Sequence, residues 1–181
     1  MKTLLKSTNL TLALSAIYLV ALFWIIVLKF NISAYHAGME RSMNWIPFPA
    51  LFGMEGQGDR NELLLNVFIF IPFGWYVAIL REKWSLVQKA GLFFSISFLF
   101  EISQYILKFG AFDATDLINN TLGGLLGLWV FQGLEKSLDS RLKAQKIINL
   151  IALVGTVVIF SILLYLKVNN IWIFRMELLS R

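Results

Sequence analysis

Apolar residues run through the chain in five long blocks separated by short polar stretches. The blocks fall at about Leu10–Leu28, Leu63–Leu80, Val87–Leu107, Leu117–Leu134 and Ile147–Leu166. A helix of about 20 apolar residues spans the hydrocarbon of a bilayer, so each block predicts a transmembrane helix. The expected fold class is all-α, a polytopic membrane helical bundle with about five transmembrane helices. The second and fourth blocks are short, and both contain asparagine. The first follows Lys2 and Lys6 as a signal peptide would. Its run is longer than the about 7–15 residues of a signal peptide's apolar region, and Lys29-Phe30-Asn31 is a poor cleavage context. It reads as an uncleaved span.

Composition agrees with the pattern. Of 181 residues, 58% are hydrophobic and only 15% are charged, with a mean hydropathy of +0.72. One core of that size cannot hide so much apolar surface from water. The net charge of +5 sits mostly between the apolar blocks, where it sets membrane topology, and it predicts no nucleic-acid partner. Lys2, Lys6, Arg81, Lys83, Lys89, Lys136, Arg141, Lys143 and Lys146 fall on one side. Lys29, Arg41, Arg60, Lys108, Lys167, Arg175 and Arg181 fall on the other, over nearly twice the chain length. The bias predicts a cytoplasmic N-terminus, with the run Lys136–Lys146 near anionic lipid. There are no cysteines, which excludes disulfides, thiolate metal sites and a cysteine nucleophile.

The whole chain, residues 1–181, reads as a single membrane domain. The connection Lys29–Glu62 holds Pro47, Pro49, Gly53, Gly56 and Gly58 and shows no sustained helical or strand period, so it reads as a loop. Trp45-Ile46-Pro47-Phe48 is apolar enough to lie at the membrane interface. The C-terminal region 147–181 combines the fifth span with an interfacial tail from Val168.

The informative residues are the polar ones inside apolar blocks. Glu101 lies about four turns into the third span, where an ionisable group is costly and should face protein or water. Gln104, Tyr105 and Lys108 follow on the same helical face, and Lys108 is the cation that could reach Glu101 across two turns. Asp113 and Asp116 open the fourth span, and the helix N-terminus there favours a carboxylate, with Asp116 the expected N-cap. Asn120 lies one turn deeper on the Asp116 face. In the second span Asn66 sits near the start, and Pro72 predicts a kink. The second and fourth spans begin where the third ends. Arg41, Asn44, Asn66, Glu101, Gln104, Lys108, Asp113, Asp116 and Asn120 are therefore expected in one layer at one membrane face, the outer face by the charge bias.

Plainer roles compete with a site. Intramembrane amides join helices, Asp116 serves as a cap, and Asp113 serves as a solvated loop charge. Gly123 and Gly127 form a GxxxG pattern that permits close helix packing and offers a face for an oligomer. His36 has no partner at ligand spacing, and the Asn-x-Ser/Thr triplets at Asn9, Asn31 and Asn119 read as chance. Glu101, Asp113 and Asp116 are the candidate ligands of a divalent cation, the one cofactor the residues suggest, and the same three carboxylates suit a proton relay. No P-loop, GxSxG, HExxH or CxxC motif is present.

Over about residues 41–131 the sequence resembles the VanZ-like membrane proteins. Arg41-Ser42-Met43-Asn44-Trp45-Ile46-Pro47-Phe48 is similar to the family's R-x-x-N-L-x-P-F element, with Trp45 in the leucine place. Asn66–Gly74 is similar to N-x-x-x-F-x-P-F-G, and Glu101–Gln104 to E-x-x-Q. Asp113–Gly124 is similar to D-x-x-D-x-x-x-N-T-x-G-G. Where the family pattern carries an arginine before its first aspartate, this chain has Lys108-Phe109-Gly110-Ala111, and Lys108 is the nearest cation. The resemblance implies a multi-pass protein of the bacterial cell membrane, in a family whose named member is associated with resistance to teicoplanin-type glycopeptides. The leading expectation is a polar outer-face site that binds or acts on an envelope lipid, a lipid-linked precursor or a glycopeptide. In it Glu101, Asp113 and Asp116 would be catalytic groups, and Arg41 and Lys108 would contact an anionic group. Asn44, Asn66, Gln104 and Asn120 would orient the substrate. Were it an enzyme, a metal-assisted transfer or hydrolysis at a lipid head group would fit. A proton- or ion-coupled transporter and a scaffold for envelope enzymes are the alternatives.

Overall fold

A computed structural model describes residues 5, 7–27, 42–49, 60–108 and 110–169. Arg41, His36 and the interfacial tail beyond Asn169 lie outside the described residues. Five helices follow in chain order: α1 (Thr8–Val27), α2 (Arg60–Leu80), α3 (Leu86–Leu107), α4 (Ala114–Leu138) and α5 (Arg141–Val168). Each coincides with one of the five apolar blocks and extends it by a turn or less at most ends. The all-α bundle is borne out.

Four helices are long and apolar enough to cross a membrane: Thr8–Val27, Leu63–Leu80, Leu86–Leu107 and Arg141–Tyr165. Helix α4 is long enough at 25 residues but less apolar than the other four. The reason is where α4 sits. It packs along α2 and against α3 and α5, so it carries Asn119, Asn120 and three glycines on surfaces that meet protein. The faces of a helix that meet protein need not be apolar, and α4 keeps an apolar face, with Leu122, Leu126 and Trp129, on its exposed side.

The α2–α4 pair is unusually close. A Cβ built on Gly123 would lie 2.2 Å from the Val67 carbonyl oxygen, and one on Gly127 would lie 2.2 Å from that of Ile71. On α2, a Cβ at Gly74 would meet the Gly124 carbonyl oxygen at the same 2.2 Å. The register of these contacts, Val67 to Gly123 and Ile71 to Gly127, makes the two helices parallel. The face expected to offer an oligomer contact is thus covered by α2 of the same chain. α2 runs unbroken through Pro72. Pro72 has no N–H for the Phe68 carbonyl, and the next carbonyl, that of Ile69, accepts the Tyr18 hydroxyl at 2.5 Å.

α1 and α3 run the other way. Gln104 of α3 donates to the Ile26 carbonyl of α1 at 2.9 Å, and Phe23 meets Phe100 edge to face. At the opposite end of α1, the fully buried Thr11 and Asn149 bond each other, and Gln145 donates to Thr11 at 3.0 Å. Those bonds fasten the start of α5 to the start of α1. Phe70, Phe73, Phe93, Phe100 and Phe131 fill the centre of the bundle. Helix α3 begins with a reciprocal cap, in which Ser85 Oγ accepts from the Gln88 N–H and Gln88 Oε1 accepts from the Ser85 N–H.

A two-stranded parallel pairing, absent from the sequence pattern, sits at the end where α2 and α4 begin. Strand β1 (Met43–Asn44) pairs with β2 (Phe112–Asp113), with Met43 opposite Phe112 and Asn44 opposite Asp113. Each strand is only two residues long, too short for a period of two to register.

Candidate functional site

The connection between α3 and α4 brings the polar residues together. Asp113 is extended, at φ −129° and ψ 119°, and caps α4: its Oδ1 accepts the Thr115 N–H at 2.7 Å. The cap is therefore Asp113, where Asp116 was expected, and Asp116 lies in the first turn of α4. The Asp113 N–H is turned back toward α3 and donates to Glu101 Oε2 at 2.9 Å. Glu101 is 0% exposed, so this bond places a carboxylate at the foot of the connection, within the protein and away from lipid. The bond ties the α3 side chain to the backbone of the residue that caps α4.

Neighbouring amides complete the arrangement. Asn66 Nδ2 of α2 donates to Asp116 Oδ1 at 2.6 Å. Asn44 Nδ2 on β1 donates to Asp113 Oδ2 at 3.4 Å. The chain after β1 passes over the start of α4, where the Phe48 N–H donates to Thr115 Oγ1 at 3.0 Å. Phe48 holds a left-handed backbone at φ 53°, a conformation that costs a non-glycine residue energy and marks a constrained segment. Trp45 lies against Phe112, with ring centroids 4.7 Å apart, and is 64% exposed at the edge of the site. Deeper in the bundle, Asn120 Nδ2 donates to Ser97 Oγ at 2.8 Å. Asn120 Oδ1 and Asn119 Nδ2 are buried, and neither has a hydrogen-bond partner among the described residues.

Of the sequence-derived set, Asn44, Asn66, Glu101, Asp113, Asp116 and Asn120 lie in or directly beneath this cluster. Gln104 shares the Glu101 face but is turned to α1, where its amide holds the Ile26 carbonyl. Lys108 is exposed at the left-handed C-cap of α3, at φ 60°, with its N–H on the Gln104 carbonyl. No ion pair joins Lys108 to Glu101 among the described residues, and Arg41 falls outside them. Ser97, Thr115 and Asn119 belong to the same polar interior and were not singled out. Ser97 is one turn before Glu101, and Thr115 stands between the two aspartates.

Among the described residues, no group of three or more aspartate, glutamate or histidine side chains is placed to hold a metal ion. Glu101 meets a backbone N–H, Asp113 caps a helix, and Asp116 takes an amide. Among the described residues the three carboxylates are thus engaged in hydrogen bonds to a backbone N–H, a helix cap and a side-chain amide.

The family model described as VanZ/LLP1 matches residues 15–136. The chain belongs to the VanZ/LLP1 family. The match takes in most of α1 as well as the region of about 41–131 that carries the motifs. Protein VanZ of Enterococcus faecium is 34% identical over 163 residues, covering 87% of this chain and 95% of that protein. No solved structure matches. Residues of the four sequence elements meet in space: β1 and α2 supply Asn44 and Asn66, α3 supplies Glu101, and β2 and α4 supply Asp113 and Asp116.

Proposed function

We propose that this protein is a bacterial cell-membrane protein associated with glycopeptide resistance of the teicoplanin type, whose polar cluster binds or acts on an envelope lipid, a lipid-linked precursor or the glycopeptide itself. One observation carries the reading. Glu101, fully buried, receives the N–H of the residue that caps α4. An ionisable group inside a membrane bundle is costly and marks a functional position. The Asn66–Asp116 pair beside it and the free polar atoms of Asn119 and Asn120 give the site further hydrogen-bonding capacity. Lys108, exposed at the end of α3, and Arg41 of the first sequence element are the proposed contacts of an anionic head group.

The basic residues of the α2–α3 and α4–α5 connections support a cytoplasmic N-terminus and an outer-face site. The test is growth at graded teicoplanin concentrations of cells carrying Glu101→Gln or Asp116→Asn, with membrane levels matched by immunoblot. Loss of tolerance in both is the expected result. Tolerance equal to the unmodified protein in both overturns the reading.

A further inference from the structure

At the end of the bundle away from this site, the geometry points to a binding site for one anionic phospholipid, its phosphate on Arg81 and an acyl chain along α3. An open groove of about 330 Å³ runs down α3 and is lined by Trp84, Gln88, Gly91, Leu92 and Ser95. These residues recur at helical spacing, so they form one stripe. Gly91 and Ser95 are exposed, and a Cβ on Gly91 would meet nothing within 4 Å. At 1.5 Å per residue, the stripe descends roughly 16 Å from Trp84 to Ser95. Trp84 stands just before the apolar helix Leu86–Leu107, as tryptophans at a membrane interface do, and the stripe runs from it into that helix. A groove open along its length toward lipid suits a chain that keeps one side against the bilayer.

The charge at the mouth supplies the head group's partner. The Arg81 guanidinium stacks over Trp84, 5.2 Å from the ring centroid, and makes no ion pair among the described residues. The acids near it are already engaged, because Arg141 binds Glu82 at 3.3 Å and Glu135 at 3.1 Å. Lys83 and Lys136 are exposed at the same end, and Lys89 lies within electrostatic reach of Arg141. A guanidinium placed over an aromatic ring, with the nearby acids paired to Arg141, keeps N–H donors for a phosphate. The leaflet that this end faces, by the charge bias, is the one rich in anionic lipid.

Native mass spectrometry of the purified full chain tests the site, with dioleoyl phosphatidylglycerol compared with dioleoyl phosphatidylcholine. The expected result is one preferentially retained phosphatidylglycerol. Arg81→Gln weakens it about tenfold, the worth of one charge-assisted contact. Gly91→Leu, which the open space accepts without loss of melting temperature, weakens it too by filling the groove. Lys83→Gln leaves it unchanged. Equal retention of the two lipids overturns the site, as does a Lys83→Gln loss matching that of Arg81→Gln, which marks a diffuse basic rim. Unchanged binding in Gly91→Leu overturns the groove.

Discussion

The Glu101 carboxylate both holds the α3–α4 connection in place and carries the only acidic group that α3 contributes. Substitution separates these roles. Glu101→Gln keeps an oxygen that accepts the Asp113 N–H, so it should fold and reach the membrane normally while losing resistance activity. Glu101→Ala leaves that N–H buried without an acceptor and should lower stability by about 1–3 kcal/mol, read as a thermal shift in detergent. Asp113→Ala removes the α4 cap and should cost about 1 kcal/mol by the same measurement. Lys108→Gly relieves a left-handed lysine and should raise stability by about 0.5–1 kcal/mol, which frees the lysine charge for testing apart from the cap. At this scale the sequence was readable wherever a polar group is expensive. Glu101, Asn66 and Asp116 stand out in apolar blocks and meet in space. Gln104 shares their helical face, yet its partner is a backbone carbonyl of α1, which no pattern of side chains reveals. Ser97 and Thr115 are small hydroxyls of a kind common in spans, where they often bond their own helix, so neither advertises a cross-helix role.

The α2–α4 pair is the element on which the site is mounted, and its glycines set the spacing. Gly123→Ala or Gly127→Ala drives a methyl into an α2 carbonyl and should destabilise the protein by several kcal/mol, about the upper range for a single substitution. Gly133→Ala, where nothing lies within 4 Å, should be neutral or stabilising by up to about 1 kcal/mol. Melting temperatures of the three variants in one detergent check the contrast, and similar losses in all of them would contradict it. The existence of all five helices was legible because long apolar blocks with polar punctuation leave few other options, whereas the polar end turns of α4 and the start of α5 lay outside the apolar blocks. The partner of the Gly123–Gly127 face was not legible. A GxxxG pattern states that a backbone approaches closely, and leaves open whether that backbone is in the same chain. The β1–β2 pairing was hidden by its length, since four residues held by a neighbouring helix cap leave no periodic trace.

Across the whole molecule, charge, polar cluster and lipid groove divide between the two ends of the bundle. The chain has no cysteine, so orientation can be read from single introduced thiols. In intact cells a membrane-impermeant thiol reagent should label the Ser42→Cys variant, while the Lys83→Cys variant should label only after permeabilisation. The reverse pattern would place the polar cluster on the cytoplasmic side. At the lipid-groove end, Arg141 joins three elements, through Glu82, Glu135 and the Ala78 carbonyl at 2.5 Å. Arg141→Lys cannot reproduce that fork and should lower the melting temperature even though the charge is kept. The weak apolar character of α4 also bears on how the protein is made. During synthesis each helix is offered to the bilayer as it leaves the ribosome, and a segment with two adjacent asparagines and four glycines has little reason to enter lipid alone. α4 should therefore be retained in the membrane only when α2 is already there to receive its glycine face. A glycosylation-site reporter fused after α4 should show efficient integration when α2 and α3 precede it and poor integration when α4 is presented alone. The residues that build the polar cluster thus make the biogenesis of the protein sequential, with the site assembled only after its supporting helix has been inserted.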